Sequence, residues 1–379
     1  MAPTGALKGL RVIEFAGLGP VPFCAMMLAD HGADVIRIER PGAAFDPHDP
    51  IQRNRRSLAL DVKSPHGLQI ALQLLDLADV ALEGFRPGVM ERLGLGPEVC
   101  LRRNERLVYG RLSGWGRAGP LADAPGRDII YLALSGALAT LGSKAEPPAP
   151  PLNLVGDYGG GAMFLTSGIL MALFARQTTG RGQIIDVSIL GGITALTAWV
   201  SGQRQAGEWT DERESNLLDG GAPFYRTYEC KDGGWIAVGA IDPASCTLFM
   251  TGLGFTEDHP VRGMCRERRH WPAARELIAQ RVRQRSRADW DTVFAGKQAC
   301  VAPVLTFEEA ERHPQQLDNA HLVSIGGFLQ PAPAPQFSAT PAPQGRAPPP
   351  PGQHSREILG ELGLLPDAIA ELAHLGVIG

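Results

Sequence analysis

The sequence has little of what marks secreted, metal-binding or nucleic-acid-binding proteins. It has only six cysteines and no C-x-x-C pair, which argues against a disulfide framework and a zinc site. The net charge is −4 without long basic runs, so nothing favours nucleic acid or a membrane surface as a partner. Residues 1–10 lack a signal-peptide core, and the most apolar run, 161–175, is too short to span a bilayer. These absences predict a cytoplasmic protein with reduced thiols, no bound metal, no nucleic-acid partner and no membrane partner.

What is present is typical of a globular α/β chain. A length of 379 residues with 44% hydrophobic and 20% charged residues allows a large core and more than one domain. From residue 10 onward, short β-branched runs alternate with segments of helical period. Strands are predicted at 10–15, 34–39, 80–83 and 107–112, with helices between them. This alternation predicts a parallel, doubly wound sheet in a large domain over residues 1–200.

A second module is predicted over residues 222–330. Two β-type runs, 224–230 and 235–240, flank Lys231-Asp232-Gly233-Gly234, which indicates a hairpin. Residues 331–351 contain nine prolines, which predicts an extended connector, and a closing helix is expected at 355–365. The segment 331–379 would then return the chain to the large domain.

One carboxylate, Asp157, stands in front of three glycines and a long apolar helix. There it would lie in the positive field of a helix N-terminus, near free backbone N–H groups, where an acid, a base or a nucleophile could be built. The same position also suits a simple N-cap, and caps are more common than catalytic carboxylates. Asp157 is therefore a candidate that other residues must support.

Arginines cluster where the predicted strands end. Parallel sheets bind ligands outside the carboxyl ends of their strands, and guanidinium groups suit phosphate oxygens. The turn Gly17-Leu18-Gly19-Pro20 has only part of a dinucleotide fingerprint, so NAD is not expected. The pattern favours a ligand with more than one phosphate or, alternatively, a solvated basic rim. The arginines concerned are Arg37, Arg40, Arg53, Arg55, Arg56, Arg86 and Arg92.

Several segments resemble, in order, the motifs of the family III CoA transferases. They are 8–14 (KGLRVIE), 32–41 (GADVIRIERP), 53–57 (RNRRS), 85–88 (FRPG) and 114–116 (GWG). Three more resemble the α-methylacyl-CoA racemase branch of that family: 153–161 (NLVGDYGGG), 218–225 (LDGGAPFY) and 300–304 (CVAPV). The likeness covers residues 7 to about 340, nearly the whole chain.

The resemblance implies a fold, a ligand and an assembly. The fold is a Rossmann-like large domain, built from both chain ends, with a smaller α+β domain inserted between them. The assembly is a homodimer with interlocked subunits. The ligand is an acyl-CoA thioester, with coenzyme A bound as part of the substrate and no separate cofactor. By the same likeness, the residues that line the CoA site are Leu18, Arg40, Arg86 and Arg92.

The chain departs from the racemase pattern at one catalytic position. Racemases of this kind use an aspartate, which matches Asp157, and a histidine held by a glutamate. Here Arg127 stands at the histidine position and Asp242 at the glutamate position. A guanidinium has no lone pair that could accept a proton, and no histidine lies between His66 and His259. The implied catalytic set is thus Asp157, Arg127 and Asp242, without the usual pair of proton carriers.

Three interpretations stay open. In the first, Asp157 is the single base and Arg127 donates hydrogen bonds to an enolate oxygen, although a nearby arginine lowers the pKa of a carboxylate. In the second, ionised Asp157 attacks the thioester as a nucleophile, as in the transferase branch. In the third, Arg127 and Asp157 form a structural ion pair in a protein that binds CoA without turnover. Asp128 is expected to be a helix cap and Tyr131 a packing residue.

Overall fold

A computed structural model describes residues 4–379. These residues form two compact units, of which the first comprises the chain up to Ser135 together with Leu152–Leu196 and Gln316–Gly379. The second unit comprises Gly136–Pro151 and Thr197–Gln315. The second unit is therefore inserted into the first along the chain, and its main segment begins and ends earlier than the predicted 222–330.

Within residues 4–379, the first unit is built on a six-stranded parallel sheet. Its strands are β1 (Arg11–Phe15), β2 (Asp34–Glu39), β3 (Arg56–Ala59), β4 (Val80–Glu83), β5 (Val108–Ser113) and β6 (Ile184–Ser188). They lie in the order β3-β2-β1-β4-β5-β6, with every neighbouring pair parallel. This is the doubly wound arrangement, in which the order reverses between β1 and β4 and a ligand crevice is expected there. The predicted α/β class is confirmed.

Seven α-helices accompany the strands of this sheet in the first unit. They are α1 (Pro20–Asp30), α2 (Pro65–Asp76), α3 (Val89–Arg92), α4 (Pro97–Arg103), α5 (Asp128–Ser135), α6 (Phe164–Thr179) and α7 (Ile189–Leu196). Helix α2 begins at a well-defined cap, because the Ser64 hydroxyl accepts a hydrogen bond from the Gly67 N–H at 3.0 Å and Pro65 takes the first helical position. A short 3-10 turn, Pro50–Gln52, precedes β3.

Two arginines assigned above to a phosphate site are instead paired inside the sheet. Nε of Arg55, which is fully buried, lies 2.6 Å from Oε2 of Glu14. Nη1 of Arg37 lies 2.9 Å from Oε1 of the same carboxylate, which has no exposed surface. A buried carboxylate between two guanidinium groups is a structural charge network, since removing either partner would leave an unpaired buried charge.

Two further arginines of the same motif hold distant parts of the first unit together. Arg53 donates from Nε and Nη2 to the Asp30 carboxylate, at 2.9 and 2.5 Å. Arg56 lies in β3, which is not among the predicted strands, and it pairs with Asp34 at 2.8 Å and Glu361 at 2.6 Å. The phosphate-binding prediction is therefore wrong for these two as well, because their donors are committed to carboxylates.

The second unit is an α+β module. Its helices are α8 (Ala198–Gln205), α9 (Pro243–Gly252), α10 (Pro260–Met264), α11 (Trp271–Val282), α12 (Arg287–Phe294) and α13 (Phe307–Glu311), with 3-10 turns at Leu138–Thr140 and Arg268–His270. Strands β7 (Tyr225–Glu229), β8 (Trp235–Gly239) and β9 (Val301–Pro303) form an antiparallel sheet. The β7–β8 pairing confirms the hairpin predicted from residues 231–234.

The C-terminal segment returns to the first unit. It comprises α14 (Pro314–Asp318), β10 (Leu322–Ile325), β11 (Phe328–Pro331), α15 (Ser355–Glu361) and α16 (Pro366–His374). Nη1 of Arg53 donates to the side chain of Gln330 at 2.9 Å and to the Pro331 carbonyl at 2.8 Å. These bonds attach the β10–β11 hairpin to the first unit, which explains why the boundary precedes residue 330. Residues 332–354 form the irregular connector, and α16 was not predicted.

The apolar helix that follows Asp157 is longer than predicted. A π-helix, Leu154–Met163, continues directly into α6, so that residues 154–179 form one helical run of 26 residues. Length and composition alone would allow this run to cross a membrane, and about two fifths of its most apolar window is buried. The prediction that the run is too short to span a bilayer is therefore wrong, because the π-helix extends it.

Candidate active site

A cleft of about 500 Å³ opens in the first unit at the carboxyl ends of β1, β4 and β5. Its walls come from the turn after β1, the loop after β4, the end of β5 and the chain leading into α5. The lining includes Leu18, Gly19, Phe85, Arg86, Trp115, Arg127, Tyr131 and Asp157. The cleft thus lies where the strand order reverses, which is the expected binding position in a sheet of this topology.

Asp157 lies inside the π-helix and is not an N-cap. The wide helical turn packs so closely on its neighbours that a Cβ at Gly160 would lie 2.9 Å from the Ile193 backbone nitrogen, and one at Gly161 would lie 3.1 Å from Pro20 Cβ. The glycines therefore let this segment approach α7 and α1 closely. Such π-helical segments are rare and occur often at functional sites.

The Asp157 carboxyl is half-buried and faces the cleft. Its pKa is raised to about 6: burial is the largest cause, the negative charge of Asp128 adds to it, and the positive charge of Arg127 opposes both. Arg127 lowers the pKa of this carboxyl, as expected from the sequence, but burial and Asp128 together outweigh it. A carboxyl group that titrates near pH 6 can exchange protons close to neutral pH.

Arg127 enters the same cleft with an exposed guanidinium. Its Nη1 donates to the Gly126 carbonyl at 2.8 Å. Across residues 4–379 no carboxylate lies within ion-pair distance of this guanidinium. Its positive charge nevertheless lowers the pKa of Asp157. The interpretation that Arg127 and Asp157 form a structural ion pair therefore has no support among residues 4–379.

Two residues for which the sequence predicted only structural roles, Asp128 and Tyr131, lie at the site: one bonds to Asp157 and the other lines the cleft. The Asp128 Oδ1 accepts a hydrogen bond from the Asp157 N–H at 2.6 Å, so the side chain of this first residue of α5 bonds to the Asp157 turn, whereas a cap of α5 was expected. The Tyr131 ring lines the cleft edge-on to Trp115, with ring centroids 4.7 Å apart. Burial and the charge of Asp157 raise the pKa of Tyr131, while Arg127 opposes this. The available signal was spacing, since Tyr131 follows Arg127 by four residues and faces the same way.

The predicted CoA residues fall into two groups. Leu18, which is 93% exposed, and Arg86 line the cleft. Arg40 follows β2 and Arg92 ends α3; both are exposed, but neither is part of the cleft wall. In the described part of the chain, none of these three arginines is in an ion pair, unlike Arg37, Arg53, Arg55 and Arg56.

Asp242 belongs to the second unit. It is the N-cap of α9, where its Oδ1 accepts from the N–H groups of Ala244 and Ser245, and the Ser245 hydroxyl donates to Oδ2 at 2.5 Å. These hydrogen bonds, led by that of the Ser245 hydroxyl, lower the pKa of Asp242. A larger cavity of about 720 Å³ also lies within this unit, but its lining includes none of the seven predicted site residues.

The comparison with known proteins begins with a family description. The CoA-transferase family III pattern matches residues 7–355. The chain belongs to this family. Within it, the chain is 44% identical to α-methylacyl-CoA racemase of Mus musculus and 43% identical to that of Homo sapiens, each over 97% of this chain and 96% of the relative.

A solved family structure has the same fold. The crystal structure of a CaiB/BaiF family protein from Brucella suis matches with a TM-score of 0.82 over 95% of this chain and 100% of that one, at 24% identity. The family III resemblance expected from the motifs is confirmed by the family pattern and by the two racemase relatives.

The electrostatic balance at Asp157 is open to direct measurement. Arg127→Gln removes the positive charge that opposes burial, so we expect the Asp157 pKa to rise above its value of about 6. A ¹³C-carboxyl NMR titration measures this, with the Asp157 signal assigned by its loss in Asp157→Asn. Arg86→Gln, which removes an equal charge from the same cleft, is the control and should leave the midpoint almost unchanged. An unchanged midpoint in Arg127→Gln would mean that the guanidinium does not act on Asp157.

Proposed function

We propose that this protein is an acyl-CoA racemase or epimerase that moves the α-proton of a CoA thioester through an enolate. The observation that carries the proposal is a half-buried carboxyl, Asp157, with a pKa of about 6, in the cleft where the strand order reverses. The identity of 43–44% to two α-methylacyl-CoA racemases over nearly the whole chain supports the same reaction.

The proposed ligand is an acyl-CoA thioester whose CoA part is held by residues around the cleft. We assign this binding to Leu18 and Arg86 on the cleft wall and to Arg40 and Arg92 nearby. Guanidinium groups without a carboxylate partner in residues 4–379 suit the charged oxygens of a diphosphate. Coenzyme A enters as part of the substrate, so the proposal needs no separate cofactor. All six cysteines, each within the described residues, are free thiols, which supports a reducing, cytoplasmic location.

The chemistry assigned to the cleft starts with Asp157. Its carboxylate removes the proton next to the thioester carbonyl, the electron pair of the C–H bond moves into the enolate, and negative charge develops on the thioester oxygen. Arg127 faces the same cleft and has donors free to hydrogen-bond this oxygen. A fixed positive group aimed at developing negative charge stabilises the transition state without accepting a proton.

The alternative function is CoA transfer with Asp157 as a covalent nucleophile. Its carboxylate would attack the thioester carbonyl, form a mixed anhydride with the acyl group and release CoA as the thiolate. The observation that favours this alternative is Arg127 itself. It stands where the resemblance implies a histidine, and a guanidinium cannot carry a proton to the opposite face of an enolate. Transfer needs no such second carrier.

We further propose that the protein is a homodimer with interlocked subunits, as the family resemblance implies. The support in this chain is an exposed apolar face on α6, where Met171 is 69% and Phe174 is 74% exposed beside the partly exposed Leu170. Such a face is covered by another surface in most proteins, and we assign a second copy of the chain in preference to lipid. In that dimer, Asp242 of one copy is proposed to pair with Arg127 of the other.

Deuterium exchange tests the proposed reaction. With a 2-methylacyl-CoA in D₂O, we expect the protein to introduce deuterium at the α-carbon at a rate that rises between pH 5 and 7. The reason is that Asp157 becomes ionised as the pH passes its pKa of about 6. Asp157→Asn should abolish exchange, as followed by mass spectrometry, whereas Asp123→Asn, an exposed aspartate of the preceding loop, should not. Transfer of CoA to a ¹⁴C-labelled free acid without any deuterium exchange would instead establish the transferase.

A second test restores the missing proton carrier. Arg127→His places a group that can both accept and return a proton at the position where the related racemases have one. We expect it to raise the rate of configuration inversion by about tenfold or more, because a positioned acid–base group contributes roughly 10² to 10⁴ in rate. Chiral chromatography of the hydrolysed product measures inversion. Arg127→Gln is the matched control, and the proposal of a racemase cleft fails here if histidine performs no better than glutamine.

The dimer is tested by light scattering at micromolar concentration. Phe174→Glu puts a charge on the apolar face of α6, so we expect it to convert a dimer of the 40.5 kDa chain into monomers. Leu365→Glu, at an equally exposed leucine just before α16, is the control and should remain dimeric. A monomeric mass for the unaltered protein would contradict the proposed assembly.

A further inference from the structure

The side chain of Asp128 is directed at the backbone of the Asp157 turn. The Asp157 N–H donates to its Oδ1 at 2.6 Å, and the Gly156 N–H interacts with the same carboxylate. Asp128 is the first residue of α5, while Asp157 is the fourth residue of the π-helix, so these bonds connect elements 29 residues apart. Asp128 therefore joins the start of α5 to the backbone of the Asp157 turn.

Gly156 makes this close approach possible. A Cβ at position 156 would collide with Oδ1 of Asp128 and would lie 2.7 Å from its Cγ. A glycine is therefore required here for steric reasons, independently of backbone conformation. Gly156, Asp157 and Asp128 act as one structural unit. Because Gly156 has no side chain, the Asp128 carboxylate can approach and accept the hydrogen bond from the Asp157 N–H.

The second oxygen of Asp128 is buried without a partner. Oδ2 has almost no accessible surface and accepts no hydrogen bond from any group in residues 4–379. Little water reaches this oxygen, so its negative charge is poorly screened. Such a charge strongly raises the pKa of a nearby carboxyl group. Burial raises the pKa of Asp128 itself, and the charge of Asp128 is the largest contribution after burial to the raised pKa of Asp157.

We propose that Asp128 is a positioning residue of the reaction, which orients Asp157 through its backbone N–H and offsets the positive charge of Arg127. The inference rests on the proposed function, because it assigns Asp128 a role towards Asp157 as the reacting carboxylate. Arg127 and Asp128 are adjacent in sequence and act on Asp157 with opposite sign. The cleft can therefore hold a permanent cation near Asp157 without losing a carboxylate that takes up protons near neutral pH.

The two parts of this role are separable by substitution. Asp128→Asn keeps an oxygen that can accept the Asp157 N–H but removes the charge. Asp128→Ala removes both the acceptor and the charge, and leaves two backbone N–H groups without their partner. A residue that only capped α5 would affect stability in both variants without shifting the titration of Asp157.

The first measurement is the Asp157 titration by ¹³C-carboxyl NMR in the free protein, which does not depend on any reaction. We expect Asp128→Asn to lower the Asp157 midpoint by about one pH unit, since a like charge nearby has been removed. The matched control is Asp123→Asn, which removes an equal charge from the loop before α5 and should leave the midpoint unchanged. A midpoint in Asp128→Asn that stays at the unaltered value overturns the electrostatic part of the inference.

The second measurement is the pH profile of α-proton exchange. In Asp128→Asn the acidic limb should move to lower pH by the same amount as the NMR midpoint, with kcat at pH 8 within about tenfold of the unaltered protein. In Asp128→Ala kcat should fall by about a further 100-fold, because a misplaced reacting group costs that much. Equal kcat values for the two variants overturn the orienting part.

The outcomes also separate this inference from the proposed function. If the unaltered protein shows no exchange but the NMR midpoint still moves in Asp128→Asn, the reaction is wrong and the effect of Asp128 on Asp157 stands. If exchange occurs and the midpoint does not move, the reaction stands and the inference fails. Should Asp128→Ala not fold, Asp128→Asn and its NMR titration still decide the electrostatic part, and Gly156→Ala, which forces the same carboxylate away, decides the orienting part.

Discussion

The reversal of strand order between β1 and β4 is the constraint on which the site depends. Because the chain leaves these adjacent strands towards opposite faces of the sheet, their following turns diverge and leave a cleft between them. One wall of the cleft is the turn that carries Leu18, and another is the loop that carries Arg86. The π-helix with Asp157 then closes the cleft, since its glycines allow it to pack directly on α1 and α7. A different strand order would separate these groups.

Electrostatics in the first unit divide its arginines into two classes. Arg37 and Arg55 lie inside the unit and share the buried Glu14, which leaves them no donor role towards a ligand. Arg86 and Arg127 reach the cleft and are in no ion pair within residues 4–379. Burying charges is unfavourable unless they are paired, so the first class maintains the fold while the second keeps its guanidinium groups available. A count of arginines near strand ends could not separate these classes, because Arg55 follows the second predicted strand just as Arg86 follows the third.

The sequence was sufficient for the sheet and for the general position of the site, and insufficient where distant residues decide local structure. Alternating β-branched runs predicted β1, β2, β4 and β5, whereas β3 was missed because it is short and begins with Arg56, whose charge is neutralised by Asp34 and Glu361. The glycines after Asp157 suggested a helix start, yet packing against Ile193, more than thirty residues later, allows a π-helix instead. The part played by Asp128 depends on a hydrogen bond across 29 residues, which no local pattern reveals.

The exchange of histidine for arginine changes what the cleft can do with a proton, and the rest of the site limits the consequences. A cation next to a carboxylate normally makes that carboxylate a weaker base, which would favour nucleophilic attack over proton removal. Here burial and Asp128 together outweigh Arg127, so Asp157 titrates near pH 6 despite its neighbour. The first half of a racemase reaction, enolate formation, is therefore compatible with arginine at position 127, since the enolate gains a positive partner. The second half of the reaction is protonation on the opposite face of the enolate, and arginine cannot carry that proton. Whether the protein acts as a racemase or as a transferase therefore depends on this step.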